Sequence, residues 1–506
     1  MSTMLLLGGR IHSPASPDAT AMAVTDGVVA WVGQDGPARA RYPGVEVVEL
    51  AGAFVAPAFV DAHVHATATG LLLEGLDLTG CRSLTECLAM LRRFVATHSG
   101  GVVWGHGWDD TTWPEGRPPT RAELDDAVGA VPVYLSRIDV HSALVTTALA
   151  ASVPQAWGEP GWSVDGPISQ QAHHHIRGAA RAGLTTAQRR AAQAAFLAHA
   201  AARGVAAVHE CAGPDISGED DLTDLLATTT GPHVVGYWGE RTDPATAARL
   251  GATGLAGDLF VDGALGSRTA ALTHPYTDDP TNTGATYLTA REVADHLVAC
   301  TRVGVQAGFH VIGDAAVTAV VDGFARAASV VGVAALVARR HRLEHLEMVT
   351  AGQAAQLGAW GVVGSVQPAF DAAWGGPHGM YARRLGPERG TALNPFAALA
   401  AHGVTLAFGS DSPVTPIDPW GAVRAAVRHR TDGFGLSPHA AFTAHTRGGW
   451  RAAGDDTSGV LIPGAPATYA VWSAGDLVTG LPDLGAAPPP CRRTVLRGRI
   501  IYDEVG

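Results

Sequence analysis

His63 and His65 stand two apart at the end of a β-rich run, AFVAPAFVDAHVH. Residues two apart on a strand point the same way, so both imidazoles face one side. Three more such runs end in groups that ligate metals: VQAGFHV at His310, RHRLEHL at His345 and GVTLAFGSD at Asp411. Four imidazoles and one carboxylate suit Zn²⁺ or a similar borderline ion, with Mn²⁺ and Fe²⁺ as alternatives. A lone strand histidine is more often a hydrogen-bonded core residue. Several strand ends agreeing in order is what points to a metal. His173-His174-His175 does not join them, because consecutive residues face different ways, and solvent exposure is expected there.

Those side chains need a scaffold that gathers strand ends. Eight candidate strands (54–65, 204–210, 233–239, 257–263, 305–311, 340–346, 361–367 and 403–411) alternate with alanine-rich helical stretches such as 186–203, 289–302, 315–330 and 350–359. Eight is the number that closes an α/β fold of the (β/α)₈ TIM-barrel type, whose function sits at the C-terminal ends of its strands. The barrel is assigned to residues 54–450. The interval from about 68 to 185 is too long for one connection and holds its own strands, so it is read as an inserted domain over the mouth. Residues 1–53 and 451–506 carry only short strand runs, and neither end buries a core alone. They are read as one discontinuous β-sandwich.

Hydrophobic residues make up 47% and charged residues 16%, which excludes disorder. Acidic residues outnumber basic ones, 47 to 35, with no basic run, so no nucleic-acid partner is expected. There is no lysine, which excludes Schiff-base chemistry and a P-loop lysine. Five scattered cysteines (Cys81, Cys87, Cys211, Cys300, Cys491) read as reduced thiols of a cytoplasmic protein. No run is long enough for a membrane span or built like a signal peptide. A small-molecule substrate is expected, and homo-oligomerisation stays open.

The strings VDAHVHA, GHGWDDTTWPEGRPPTRAELD, LFVDGALGSRTAAL, FHVIGDAAV, RHRLEH, LAFGSDSPV and GVLIPGAPATYAVW cover nearly the whole chain. On them the sequence is identified as a member of the amidohydrolase superfamily. It resembles the YtcJ-like branch (amidohydrolase family 3), which includes N-substituted formamide deformylases. The resemblance implies a metal-dependent hydrolase of non-peptide C–N bonds. It makes His63, His65, His310 and His345 ligands, and Asp411 both ligand and proton shuttle. Many relatives carry on the fourth strand a carboxylated lysine that bridges two metals. The aligned residue here is Asp258, and a lysine-free chain cannot form that carbamate. Aspartate is too short for the same bridge unless the backbone moves inward. Either Glu210, in VHECAG, bridges instead, or one ion is held by His63, His65, His310 and Asp411, freeing His345 to polarise the substrate carbonyl. The single ion is the preferred reading, with two ions as the alternative and Cys211 a buried inert thiol. A metal lowers the pKa of its water to roughly 7. Asp411 would then accept the proton and pass it to the leaving nitrogen.

Trp108, Trp113, Arg137, His141, Gln367 and Trp374 are candidate pocket residues. Aromatic walls suit an apolar or aryl-bearing substrate, though the tryptophans could equally pack the insert onto the barrel. Arg268 could hold an anionic group or an internal carboxylate. Relatives read R-x-D-G-H…N-S-x-A-L where this chain has RIDVHSALVTTAL, so contacts made through that amide would change at Thr146 and Thr147. Asp109-Asp110 and the GEDD run (218–221) read as solvated surface or caps, and His106 and His209 as structural. The expected reaction is hydrolysis of an amide, formamide or cyclic amide. One rival is heterocycle deamination, whose mononuclear enzymes commonly carry an acid three residues after the fifth-strand histidine. Gly313 stands there, followed by Asp314. The other rival is a non-catalytic scaffold, which loss of ligands would mark.

Overall fold

Eight parallel strands, each hydrogen-bonded to the next in chain order, curl into a barrel in the computed structural model, which describes residues 2–98 and 101–504. They are Phe59–Val64, Val205–Ala212, His233–Trp238, Gly254–Leu255, Gln306–Val311, Arg342–His345, Val363–Val366 and Thr405–Phe408. Most of their residues are buried, as expected of strands whose outer face is covered by helices. Helices Thr186–Ala201, Ala290–Val303 and Ala351–Ala359 begin at capping boxes (Thr185/Gln188, Thr289/Glu292, Thr350/Gln353), which satisfy free N–H groups and set where each helix starts. The first and eighth strands meet through a Val64–Ser412 bridge. There Asp411 N donates to His63 O (2.8 Å) and His65 N to Ser412 O (2.9 Å). The barrel therefore closes at the segments that carry His63, His65 and Asp411.

The fourth strand departs from expectation. It is ordered over Gly254–Leu255 rather than 257–263, and resumes as a bridge between Phe260 and His310. The interruption falls at Gly257, whose φ is 78°. Two glycines make room for it. A Cβ on Gly239 would lie 2.6 Å from the Asp258 carbonyl carbon, and one on Gly257 3.0 Å from Cys211 Cβ.

A second sheet, of strands Leu76–Asp77, Val103–Trp108, Val133–Arg137, Ser142–Val145 and Ile168–Ser169, lies between the first and second barrel strands in sequence. Helices Leu84–Val95 and Arg121–Val128 contribute to a core with Trp108 and Trp113. Helix Gln170–Ala182 contributes to a separate core with Tyr134 and Ile168. Two further sheets form the sandwich. One comprises Thr3–Leu7, Ala21–Thr25, Val28–Gly33 and Glu46–Glu49; the other joins Arg10–Ile11 and Phe54–Pro57 to Tyr469–Trp472, Cys491–Leu496 and Arg499–Asp503. Leu6, Met22, Val55, Tyr469 and Val495 pack in one core between them. Among the described residues no single helix is long and apolar enough to cross a membrane.

Candidate metal centre

At the barrel mouth, His63 and His65 turn their Nε2 atoms toward the same two carboxylates. Asp411 Oδ1 lies 3.1 Å from His65 Nε2 and 3.5 Å from His63 Nε2. Asp258 faces the same pair, with Oδ1 3.4 Å from His63 Nε2 and Oδ2 3.4 Å from His65 Nε2. Three of these atoms, His63 Nε2, Asp258 Oδ1 and Asp411 Oδ1, are buried with no hydrogen-bond partner. Each such atom costs roughly 1–3 kcal/mol, so their convergence calls for an occupant. Among the described residues three donor sets have ligand atoms within 4.8 Å of one another: His63, His65 and Asp411; His63, Asp258 and His345; and, on the far side of the His63 ring, His63, Cys211 and Glu344.

The donor chemistry fits a divalent cation, since imidazole nitrogen and carboxylate oxygen are ligands of borderline metals. Electrostatics agree. Burial would neutralise Asp258, but His63 and His65 hold its carboxyl well below the usual range. Asp411 is lowered against burial by His63 and His65 in the same way. Burial pulls His63 down, yet the Asp411 and Asp258 carboxylates hold it well above its ordinary value, and a cation bound at Nε2 would take the place of that proton. Two buried carboxylates thus stay ionised by drawing positive charge to one point. Asp411 and His345 are also backbone outliers, with φ of 54° and 69°. Strain of order 1–3 kcal/mol at such positions clusters at functional sites.

A second buried layer supports the first. His63 Nδ1 lies 2.9 Å from Glu344 Oε2. Arg342 grips that carboxylate twice (2.6 and 2.9 Å) and donates to Ala62 O and Ser365 Oγ (2.7 and 3.0 Å). Its guanidinium lies 4.1 Å from the Tyr237 ring centroid. Burial opposes ionisation of Glu344, but Arg342 holds its carboxyl far below the usual value. An ionised carboxylate only accepts, so His63 Nδ1 donates and Nε2 is the nitrogen turned to the centre. Sequence reasoning missed both residues. Their signal was two charges at alternate positions of a buried strand. It also missed Asp61, whose carboxylate accepts from Ser410 N at 2.8 Å and ties the first strand to the loop bearing Asp411.

The structure separates the two candidates for the missing lysine. Glu210 belongs to neither donor set that contains Asp258 or Asp411; its Oε2 accepts from Ala66 N at 2.7 Å, and burial pushes its carboxyl up to about 7. Asp258, one residue past the interruption of the fourth strand at Gly257, reaches both histidines. His310 lies beside the centre, its ring 4.4 Å from that of His345, and is in none of the donor sets. His345 Nδ1 is 2.8 Å from Gln367 Oε1. Cys211 Sγ is 3.4 Å from His63 Nδ1, and burial pushes the thiol up to about 12, so it stays neutral. Asp314 accepts from Thr273 N at 3.0 Å on the exposed side of its helix.

The candidate pocket residues divide. His141 and Trp374 line a cavity with His310, His345 and Asp411, and Gln367 holds His345. Trp108 and Trp113 do not line it: their Nε1 atoms donate to Leu135 O and Cys81 O (2.9 and 3.0 Å) inside the core of the second sheet. Arg137 is buried and pairs with Asp109 and Asp139 (2.7 and 2.9 Å). Arg268 is committed to Asp278 at 2.9 Å. Thr146 and Thr147 bond Val131 O and Asp125 rather than facing the mouth. The expected exposure of the triple histidine fails. His173 is buried with Nε2 2.7 Å from Tyr134 OH, and His174 lies 3.3 Å from Asp215, because their helix packs down on the sheet and mouth. In the GEDD run Asp221 is buried, accepting from Thr67 and Gln193. His106 is structural as expected, bonded to Ser136 Oγ and Pro413 O.

Comparison with known proteins agrees with this geometry. The chain is similar to Protein LONG AFTER FAR-RED 3 of Arabidopsis thaliana, 27% identical over 85% of this chain and 78% of that protein. It is 24% identical to the putative amidohydrolase YtcJ of Bacillus subtilis (strain 168), over 96% of each. It is 24% identical to an N-substituted formamide deformylase of Arthrobacter pascens, over 88% of this chain and 87% of that one. Its fold resembles the crystal structure of an uncharacterized metal-dependent hydrolase from Pyrococcus horikoshii OT3, with a TM-score of 0.75 and 25% identity over 96% of this chain and 100% of that one. The model of the amidohydrolase family matches residues 46–502. That match takes in every barrel strand and all the residues of the centre, and on it the chain belongs to the amidohydrolase family.

Proposed function

We propose that this protein is a metal-dependent hydrolase that cleaves a non-peptide C–N bond in an amide, formamide or cyclic amide. The observation that carries the reading is the convergence of unpaired His63 Nε2, Asp258 Oδ1 and Asp411 Oδ1 at the barrel mouth. Similarity to a formamide deformylase supports the bond type. His63, His65, Asp258 and Asp411 would hold one divalent cation such as Zn²⁺, which supplies Lewis acidity that ionises water near neutral pH. Asp411 accepts the proton of the attacking water and delivers it to the leaving nitrogen. The water oxygen bonds to the carbonyl carbon, the C–N bond breaks, and acid and amine leave.

Of the two tasks expected of His345, holding a cation suits it better than polarising the substrate carbonyl. Gln367 Nε2 points to Ser365 O at 3.5 Å, so its Oε1 faces His345 and only accepts. His345 Nδ1 therefore carries the proton and Nε2 a lone pair. It can ligate but not donate to a substrate carbonyl. Heterocycle deamination is disfavoured because Asp314 is engaged with Thr273. Free, buried cysteines support a reducing, cytoplasmic setting.

The test is amine release from a panel of N-formyl, N-acyl and cyclic amides by protein loaded with Zn²⁺ or Mn²⁺. We expect turnover that Asp411→Asn lowers by about 10²–10⁴-fold at saturating metal. No hydrolysis across the panel, or wild-type turnover by that variant, would overturn the reading.

A further inference from the structure

A second cavity, of about 80 Å³, opens beside His65, between the barrel mouth and helix Gln170–Ala182. Leu71, Leu72, Trp104 and Ile216 give it apolar walls. Arg177 and Arg181 break that pattern: both line the cavity, four residues and so one helical turn apart. Arg177 is only 9% exposed. Arg137 and Arg342, also buried, are each held by carboxylates. Among the described residues Arg177 and Arg181 have no carboxylate within 4.0 Å. Their hydrogen bonds are long, Arg177 Nη1 to Val140 O at 3.5 Å and Arg181 Nη2 to Pro214 O at 3.4 Å. Arg177 Nε and Arg181 Nε and Nη1 are buried with no partner. Burial and the neighbouring Arg177 pull Arg181 down to about 10, so it remains charged at neutral pH.

The acids in the same cavity do not answer this need. Asp221 accepts from Thr67 Oγ1 and Gln193 Nε2 (2.7 and 2.8 Å), and Glu210 accepts from Ala66 N. Arg268, the arginine singled out from sequence for an anion, is already paired with Asp278. Three buried nitrogens of the two guanidinium groups lack an acceptor, and the planar fork matches a carboxylate in bidentate geometry.

We propose that this cavity binds a carboxylate of the substrate: Arg177 and Arg181 clamp the anion while the apolar body of an amide spans Leu72 and Trp104 and presents its C–N bond beside His65. The inference rests on the hydrolase reading and narrows it to amides that carry a carboxylate. The carboxylate itself is unchanged by hydrolysis.

The probes are 4-formamidobenzoate and its neutral counterpart formanilide, titrated calorimetrically into the full-length protein with Zn²⁺ and after chelation. We expect the carboxylate probe to bind roughly 30-fold tighter or more, the scale of a buried charge pair. Arg177→Met and Arg181→Met should each remove most of that preference while leaving formanilide within about twofold. Their thermal midpoints should not fall, since replacing an unpaired buried charge with an apolar side chain is often neutral or stabilising. With metal, the preference should appear in KM. Equal binding of both probes by the wild type, or unchanged preference in both variants, overturns the clamp whatever the activity. Carboxylate-selective binding without cleavage of any amide leaves the clamp standing and removes the hydrolase reading.

Discussion

Two layers of buried charge are stacked at the barrel mouth on opposite plans. In the lower one, Arg342, Glu344 and His63 Nδ1 are mutually paired. In the upper one, His63 Nε2, Asp258 Oδ1 and Asp411 Oδ1 converge without a hydrogen bond among them. A single imidazole belongs to both layers. The satisfied layer fixes the ring and its proton so that Nε2 stays turned toward the two carboxylates of the upper layer.

Removing the upper layer's acid should show the largest effect. Asp411→Asn is expected to lower kcat by about 10²–10⁴-fold, the usual range for a general base, in assays at saturating metal. Breaking the lower layer tests whether it supports the upper one. Glu344→Gln strands the Arg342 charge and should cost about 3–5 kcal/mol in urea unfolding. Metal affinity, read by chelator competition, should fall about 10–100-fold. A variant that kept both would dissolve the distinction between the layers.

Histidines away from the centre sharpen the contrast by acid titration. Burial holds His341 down to about 3 and His445 down to about 4. His341 Nδ1 accepts from Ala307 N, and His445 Nδ1 lies 2.9 Å from Val60 O. Both titrate near 6.5 once unfolded. Below that pH the unfolded chain binds more protons than the folded one. Stability is therefore full above about pH 6.5 and falls toward pH 4, by about 1.4 kcal/mol per pH unit for each histidine. Urea midpoints of chelated protein between pH 7 and 5 measure this slope, and a flat profile would contradict it. The smallest effect is expected from Trp113→Phe, which loses the bond to Cys81 O. It should cost about 1 kcal/mol of stability and leave KM unchanged; a raised KM would return Trp113 to the pocket.

The contrast also marks what a linear chain reveals. His63 and His65 were legible because strand periodicity alone puts alternate residues on one face, and the barrel because eight apolar runs alternate with capped helices. Asp258 was not. Whether its short side chain reaches the histidines depends on how the fourth strand, broken at Gly257 and in close approach to Gly239, packs against its neighbours, a contact between separate strands. Trp108 and His173 misled for a related reason: an aromatic or imidazole in an inserted segment carries no sign of which face its sheet will bury.

The residues alone determined the barrel, the metal-type donors at its strand ends and the exclusion of a lysine carbamate, because periodicity and composition are properties of the chain itself. Tertiary structure decided which acid meets His63 and His65, which layer is left without hydrogen bonds, and that, among the described residues, Arg177 and Arg181 line a cavity with no carboxylate within 4.0 Å of either. Pairing between buried charges is set by distances across elements far apart in sequence, and those exist only once the barrel has closed.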